Sequence, residues 1–581
     1  MLKPFVAPEF STLDRNVFDA TVKFDHWVRH AQKHVDFLGL RKSIEHLYNA
    51  DVGCPGIEPV LMIKLELLLY HENLSDAQLW KRVETDLAYR WFLGLGLNEF
   101  LPDKSSLSRF RSRLGTDGHR KLFDALLSQI RQHGLVRDRL RIKDATHIIA
   151  DIAVPAGLRL IAQARNRLLA AAEPFDSERV AGERVRIETV RTSTDALADD
   201  SRLAVRIEHL RDILAWTDEL TEPSDASSSA SQSASPATNW TWQNLVKARE
   251  IVRKALAGHD QPEVGDKLRS VSDPDARRGR HGDFYDGYMV DVLIDADSEF
   301  FTAINVLPAS GNEPADTLTL LDQETSAHGN TIEAVSIDGA GFNGPLLREL
   351  EQERGIVPYV PPKQSCLSGQ FGPEDFTVSD DGSCVTCPAG QTSQYRQYDV
   401  AGHSTSYRFP AKVCAACLRR GECMKSPMKA KSPELVETSE FVEASEVVGT
   451  SEAVGTSEVV ETSDVVETST SSSTSKKSMK PRRSKKPARS SPSGRKVRIN
   501  DYASEYAKVR ERSQSDEYAS VKREHPAVER RLGHLMNRYD NRRARFRGLG
   551  RVLAQQLMGG MTANLDRLIR SLNAQAPLAF Q

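Results

Sequence analysis

Two apolar runs, each carrying a single acid, constrain this chain more than any other feature. Leu140–Asp151 (LRIKDATHIIAD) is rich in β-branched residues and holds Asp144 near its middle. That pattern predicts a buried strand displaying a carboxylate. Glu333–Gly344 (EAVSIDGAGFNG) has the same form, a strand that ends in Asp338 and breaks at Gly339. A third acid, Glu529, lies in an Arg-rich stretch near the C-terminus. A fold that joins these elements gathers three carboxylates, a natural site for divalent metal. Singly, each has a plainer reading, because Asp at a strand end commonly forms a turn and Glu on a helix is commonly solvated.

The chain up to about Gly115 reads as all-helical. Pro59–Tyr70 (PVLMIKLELLLY) is almost continuously apolar and predicts a core helix. Ser75–Gln78 (SDAQ) has the form of a capping box that opens a helix through at least Arg82. After Arg90–Leu95 and the turn LPDK, Ser105 is placed to cap a short helix, SSLSRFRSRL, bearing Arg109, Arg111 and Arg113. Two such helices can form a helix-turn-helix with arginines set against phosphates or base edges. They fit equally well in a bundle whose arginines are solvated.

Beyond the Asp144 strand, Leu158–Glu173, Ser201–Glu219 and Asn239–Leu256 have helical periodicity around a Ser/Ala linker, Ser224–Thr238. Dimerisation and shielding of the site are both open roles for this insertion. Tyr285–Asp295 and Phe300–Leu307 predict a hairpin about the turn ADSE, and Thr317–Glu324 a helix. The Asp338 strand, a helix over Pro345–Arg354 and a short strand over Ile356–Pro361 follow. The order predicts an α/β fold, a mixed sheet with helices on both faces.

Cys384-x-x-Cys387 is followed after 26 residues by Cys414-x-x-Cys417. Two thiolate pairs at this spacing can close a structural Zn²⁺ site, with Cys423 or His403 able to replace one ligand; free thiols in a loop are the alternative. Val436–Ser471 repeats a six-residue acidic unit (VETSEF, VEASEV, VGTSEA and so on) too short to bury a core. A basic, Pro-containing stretch follows at Lys476–Arg498; a spacer is the plain reading, with contact to nucleic acid or to the acidic repeat as the others. His525–Leu572 reads as helical and basic. From Glu529, Leu532, Gly533 and Met536 fall on one face, which places the carboxylate against the sheet. Arg538–Arg551 (RYDNRRARFRGLGR) carries six arginines and is a phosphate-binding candidate.

The net charge of −2 argues against a nucleic-acid binder only as an average. From Arg495 onward 18 Lys and Arg face 9 Asp and Glu, an excess of nine, so the charge is segregated into a basic module after an acidic spacer. No apolar run approaches the roughly 18 residues that span a bilayer, and the first residues lack a signal-peptide layout. Seven cysteines in 581 residues favour metal ligation in a reducing compartment over a disulfide framework. A cytoplasmic protein with no membrane partner is expected.

The chain resembles the bacterial insertion-sequence transposases of the DDE class. The likeness lies in PVLMIKLELLLY, LSDAQLWKRVETDLAYRWFLGL and PDKSSLSRFRSRL, in IKDATHI and SIDGAGF, in CPAG and CAACLRRGEC, and in HPAVERRLGHL with the following RRARFRG. The resemblance implies an RNase H-like catalytic domain with Asp144, Asp338 and Glu529 as its triad, Mg²⁺ (or Mn²⁺) as cofactor, and possession of a structural Zn²⁺ as an open matter. It implies cleavage and strand transfer at terminal inverted repeats. Double-stranded DNA, as transposon ends and target, is the implied partner, and holding two ends implies a homo-oligomer. DNA contacts are expected from Arg109, Arg111, Arg113, Arg530, Arg538, Arg542, Arg543, Arg545 and Arg547. Many relatives carry Lys seven residues after the Glu, where this chain has Met536; Arg538 or Arg530 could serve the phosphate instead. An inactive transposase-derived DNA-binding protein and a metal nuclease without strand transfer are the alternatives.

The expected organisation is a helical DNA-binding domain at 1–138, then catalytic segments at 139–152 and 281–365 around a helical insertion at 153–280. A cysteine-rich insert at 366–430, the repeat and basic linker at 431–498, and the catalytic C-terminus at 499–581 complete it.

Overall fold

The run Pro59–Tyr70 does form a helix, and it is buried on almost every side. The computed structural model describes residues 2–49, 56–222, 236–261, 267–363, 370–424 and 494–575. The hexamer repeat, most of the Ser/Ala linker and most of the basic stretch lie outside the described residues. Seven described helices precede the first strand: α1 (Thr12–Thr21), α2 (Trp27–His34), α3 (Phe37–Ile44), α4 (Pro59–His71), α5 (Asp76–Thr85), α6 (Leu87–Leu93) and α7 (Ser105–Gln132). Even Lys64 and Glu66 of α4 are buried. Lys64 Nζ donates to Gln32 Oε1 at 2.7 Å and to the Phe92 carbonyl at 2.6 Å, the pairing that a buried charge requires.

The capping box at Ser75 is present: its Oγ accepts from the Gln78 N–H at 3.3 Å, and Gln78 Oε1 accepts from the Ser75 N–H at 2.9 Å. The expected cap at Ser105 is not. Asp103 Oδ1 accepts the Ser105 N–H at 2.9 Å, so Ser105 is the first helical residue. The helix it opens is no short recognition element but 28 residues long, broken at Gly115, whose φ of 54° only glycine adopts readily.

The sheet comprises β1 (Arg141–Ile149), β2 (Arg277–His281), β3 (Asp283–Asp295), β4 (Phe301–Pro308), β5 (Ala334–Ser336) and β6 (Val357–Tyr359). Its order is β2-β3-β1-β5-β6, with β4 also on β3. β3 runs antiparallel to β1, β2 and β4, whereas β5 is parallel to β1 and to β6. β2 was not expected, since RRGRH has no apolar alternation.

One face of the sheet shares a continuous core with the N-terminal helices: Leu68, Phe123, Ile142, Val292, Val528 and Leu557 belong to one cluster. The opposite face, with Leu293, Ala303 and Val335, packs against α12 (Glu313–His328). Arg141 is wholly buried and fastens β1 to that helix, reaching Glu324 at 2.6 Å and Asp295 on β3 at 2.9 Å.

The insertion after β1 consists of α8 (Gly157–Ala172), α9 (Ser177–Thr194), α10 (Asp199–Glu219) and α11 (Pro236–Asp260), with a separate core that includes Leu168, Leu210 and Val252. After β5 come α13 (Gly344–Arg348), a π turn at Glu349–Glu353, and β6.

Met1–Lys363 with Tyr502–Gln581 makes one compact unit, and Gln364–Asp501 a second. The second holds two three-stranded sheets, β7 (Thr377–Val378), β8 (Val385–Thr386) and β9 (Thr392–Ser393), then β10 (Arg396–Asp399), β11 (Ser404–Arg408) and β12 (Lys496–Asn500). Two short helices, α14 (Ala411–Ala415) and α15 (Arg420–Cys423), lie between β11 and β12 in sequence.

The first unit ends with α16 (Ala503–Arg512), α17 (Asp516–Glu524), α18 (Pro526–Asn537) and α19 (Leu549–Gln575). His525–Leu572 is thus not one helix, and most of the Arg-rich stretch is the loop between α18 and α19. That loop is fixed to β1: the Ile149 N–H donates to the Arg542 carbonyl and the Ala544 N–H to the Ile149 carbonyl, both at 2.9 Å. No helix among the described residues is long and apolar enough to cross a membrane.

Candidate active site

The parallel register pairs Arg141 with Val335 and Ile142 with Ser336. Two residues further along each chain stand Asp144 and Asp338. Side chains two apart share a face, so the two carboxylates lie side by side at the end of β5. Asp144 Oδ1 accepts the N–H of Ala145 at 2.8 Å and Asp338 Oδ1 that of Ala340 at 2.9 Å. Asp338 is therefore also the cap of a 3₁₀ turn, Gly339–Gly341, the plainer role foreseen for it. Each Oδ2 has no donor among the described residues. Burial pushes the Asp144 carboxyl up to about 6, and the charge of Asp338 adds to the effect.

Helix α18 covers the same face. Val528, Leu532 and Leu535 enter the core beside Ile142 and Val292. Just before it, His525 Nδ1 meets Ser336 Oγ at 2.9 Å. Glu529 stands one turn on from His525. The structure corrects its environment: Leu532 and Met536 are buried as expected, but Glu529 itself is exposed and pairs with no described residue. The buried stripe runs through 528, 532 and 535, and position 529 sits on its flank. From there a long side chain can lean over the strand ends, but it is not packed against the sheet.

Sequence reasoning missed Lys522. Its Nζ donates to the Ile337 carbonyl at 2.8 Å and to Ser336 Oγ at 3.3 Å, beside the Asp338 carboxylate. Burial lowers the ammonium to about 8, against the pull of Asp338. His525 is held near 4, first by burial and then by Lys522, and is neutral at pH 7. Nothing in a basic stretch such as VKREH singles out one lysine; a parallel strand ending opposite α17 does. Met536, by contrast, is 1% exposed and cannot contact any ligand. On the far face Lys143 is buried against Asp291 at 3.1 Å and Glu313 at 2.6 Å.

The nine arginines separate into two groups. Arg111 is engaged by Glu66 at 2.6 Å and by both oxygens of Asp76 at 2.8 and 3.0 Å. Arg542 clasps β1 through Thr146 Oγ1 at 2.9 Å and the His147 carbonyl at 2.7 Å. Arg545 holds the Leu74 carbonyl at 2.7 Å and Asn73. These three hold elements together. Arg530 pairs with Glu299 at 2.8 Å and Arg538 loosely with Asp566 at 3.7 Å, both at the surface. Arg109 touches Ser106 at 3.3 Å, and Arg113 lies over the Tyr48 ring at 4.4 Å. Arg543 and Arg547 are exposed, with no partner for either guanidinium among the described residues.

Arg547 and Arg551 border a cleft of about 500 Å³ between the bend of α7 at Gly115 and the start of α19, with Ser108, Ser112 and Thr116 on its wall. None of the three acids lines it. In the second unit, Cys387, Cys414, Cys417 and Cys423 line a small cavity that Cys384 does not reach. Among the described residues no three or more His, Cys, Asp or Glu side chains converge closely enough to hold a metal as they stand.

A family model described as Transposase domain (DUF772) matches residues 16–113, and one described as Transposase DDE domain matches residues 479–569. Together they support an insertion-sequence DDE transposase. The second transposase match takes in Glu529 and the loop of arginines; Asp144 and Asp338 lie outside both. No curated protein and no solved structure matches the chain. A DDE domain implies an enzyme of DNA cleavage and transposition, in a family that generally uses divalent metals.

Proposed function

We propose that this transposase binds the terminal inverted repeats of its element, cuts at the ends, and joins the freed 3′ ends to target DNA by a two-metal DDE mechanism. The observation that carries the reading is the pair Asp144 and Asp338, set side by side on neighbouring parallel strands with the Glu529 helix over the same face. A mixed sheet in this order, helices on both faces, supports an RNase H-like catalytic domain.

The donor set fits hard cations. Two carboxylates each keep one oxygen uncommitted, and the elevated Asp144 value reflects burial first and then repulsion by Asp338, both of which a cation would relieve. Asp144, Asp338 and Glu529 would hold Mg²⁺ or Mn²⁺, which when bound aligns water or a 3′ hydroxyl for in-line attack and stabilises the leaving oxygen. Glu529, exposed on the flank of α18, would complete the set when metal is bound. Lys522 places a positive charge at the Asp338 end, where a scissile phosphate would lie. The exposed Arg543 and Arg547, with Arg109 and Arg113, supply phosphate neutralisation along the duplex. Two ends must be held at once, which requires at least a dimer.

Excision of a marked element with its native flanks tests this. The wild type should excise, while Asp338→Asn and Glu529→Gln should not, each retaining binding to the ends. Excision by either variant at the wild-type rate removes that acid from the site. A wild type that binds ends and never excises would establish the inactive DNA-binding alternative.

A further inference from the structure

We propose that Cys387, Cys414, Cys417 and Cys423 form a structural zinc site in the second unit, and that Cys384 stands outside it. The first CxxC is not a ligand pair. β8 occupies its middle two residues, Val385–Thr386, and in an extended strand residues three apart point to opposite faces. The Cys384 backbone is instead tied into a turn: its N–H donates to Ser379 Oγ at 3.1 Å, and its carbonyl accepts the Ser379 N–H at 3.1 Å.

Cys387 has the geometry of a metal-binding knuckle. The Gly390 N–H returns to the Cys387 carbonyl at 2.8 Å, with Gly390 at φ 74°, and the Gln391 N–H points at Cys387 Sγ at 3.4 Å. Cys414 Sγ likewise accepts a backbone N–H, from Arg495 at 3.3 Å. Cys414 lies on α14, Cys417 in the turn that follows, and Cys423 at the end of α15, and all three sulfurs are close enough to Cys387 to line one cavity of about 30 Å³. Arg420 and Arg495 border the same cavity. Four thiolates on Zn²⁺ leave two negative charges, which these two cations offset.

The four cysteines line the cavity, and among the described residues no three of them converge closely enough to hold a metal as they stand. Neutral thiols have no reason to crowd together, and bonds of about 2.3 Å to the metal are what draw them in. The unit also needs such a tie. Among the described residues its buried hydrophobic cluster is Phe376, Val385, Tyr407, Phe409 and Val497, and its first sheet has strands of two residues. A core of that size holds a fold poorly without a metal or disulfide.

The test is metal analysis of the full chain purified without chelator, followed by replacement with Co²⁺. Wild type and Cys384→Ser should each carry one zinc per chain and show the same thiolate-to-cobalt absorption. Cys423→Ser should lose zinc, or keep cobalt with one quarter less thiolate absorption. Cys423→Asp, which preserves an anionic ligand, guards against loss by misfolding and should retain cobalt with the same reduction. A wild type without metal and with all its thiols reactive would overturn the assignment. So would zinc retained in Cys423→Ser with full absorption, or lost in Cys384→Ser.

Discussion

Asp144→Asn is expected to stabilise the metal-free protein while abolishing cleavage. Burial is the main reason that the Asp144 carboxyl rises from an ordinary 3.8 to about 6; the Ala145 N–H opposes the rise and Asp338 adds to it. A carboxyl whose folded value is raised favours folding fully below its unfolded value and loses that contribution as pH climbs through the folded value. The wild type is therefore penalised above about pH 6 and not below about pH 4. A gap of about two pH units at about 1.4 kcal/mol each gives about 3 kcal/mol, which residual exposure trims to about 2 kcal/mol. Asparagine keeps an Oδ1 for the Ala145 N–H and carries no charge. Denaturant unfolding in EDTA should show the variant more stable by about 2 kcal/mol at pH 8, with the difference gone by pH 4. Mg²⁺ should then raise the stability of the wild type alone. A variant no more stable than wild type at pH 8 in chelator would refute the burial penalty on the Asp144 carboxylate.

Arg543 and Arg547, replaced together by Ala, should weaken DNA binding and lower the slope of log affinity against log salt by about two; an unchanged slope removes them from the interface. Arg542→Ala should leave that slope unchanged, yet lower both cleavage and thermal stability, because Arg542 clasps β1. A fall in salt slope equal to one phosphate contact would instead return Arg542 to the DNA. Lys522→Met should cut cleavage at least tenfold with end binding unchanged, and Lys522→Arg should restore part of it. Cleavage at the wild-type rate in Lys522→Met would mean that no phosphate approaches the Asp338 end from that side.

The strands that carry the acids were legible because a β-branched apolar run has few other uses, and β1 and β5 fall inside the expected stretches. β2 was not legible, since its residues owe their conformation to pairing with Asp283–Gly287 and not to any pattern of their own. α9 escaped notice for a related reason: only Val180, Glu183 and Thr194 are buried, so SERVAGERVRIETVRTST shows no apolar stripe. Arginine roles were the least legible of all. Arg111 finds its partners 45 and 35 residues away, at Glu66 and Asp76. Composition alone makes such a side chain look identical to Arg109, which stands exposed two residues earlier on another face of the helix. The spacing of the CxxC at Cys384 did not show that its two middle residues extend as a strand, a conformation set by pairing with β7 and β9.

The charges gathered on β1 make sense as a means of setting one carboxylate. A slip of one residue along a strand would carry Asp144 to the opposite face, and a strand of Ile and Ala offers little to prevent it. Arg141 is pinned to Glu324 and Asp295, Lys143 to Asp291 and Glu313, and Thr146 and His147 to Arg542. Buried ion pairs add little net stability, because desolvation cancels most of their attraction, but breaking or misplacing one is costly. They therefore penalise every register except the one that sets Asp144 beside Asp338. On this view Arg542 acts on the site without touching DNA, through the position of β1. The contrast between Arg542→Ala and the Arg543 and Arg547 pair separates the two roles, since one shifts cleavage and stability at constant salt slope and the other shifts the slope itself.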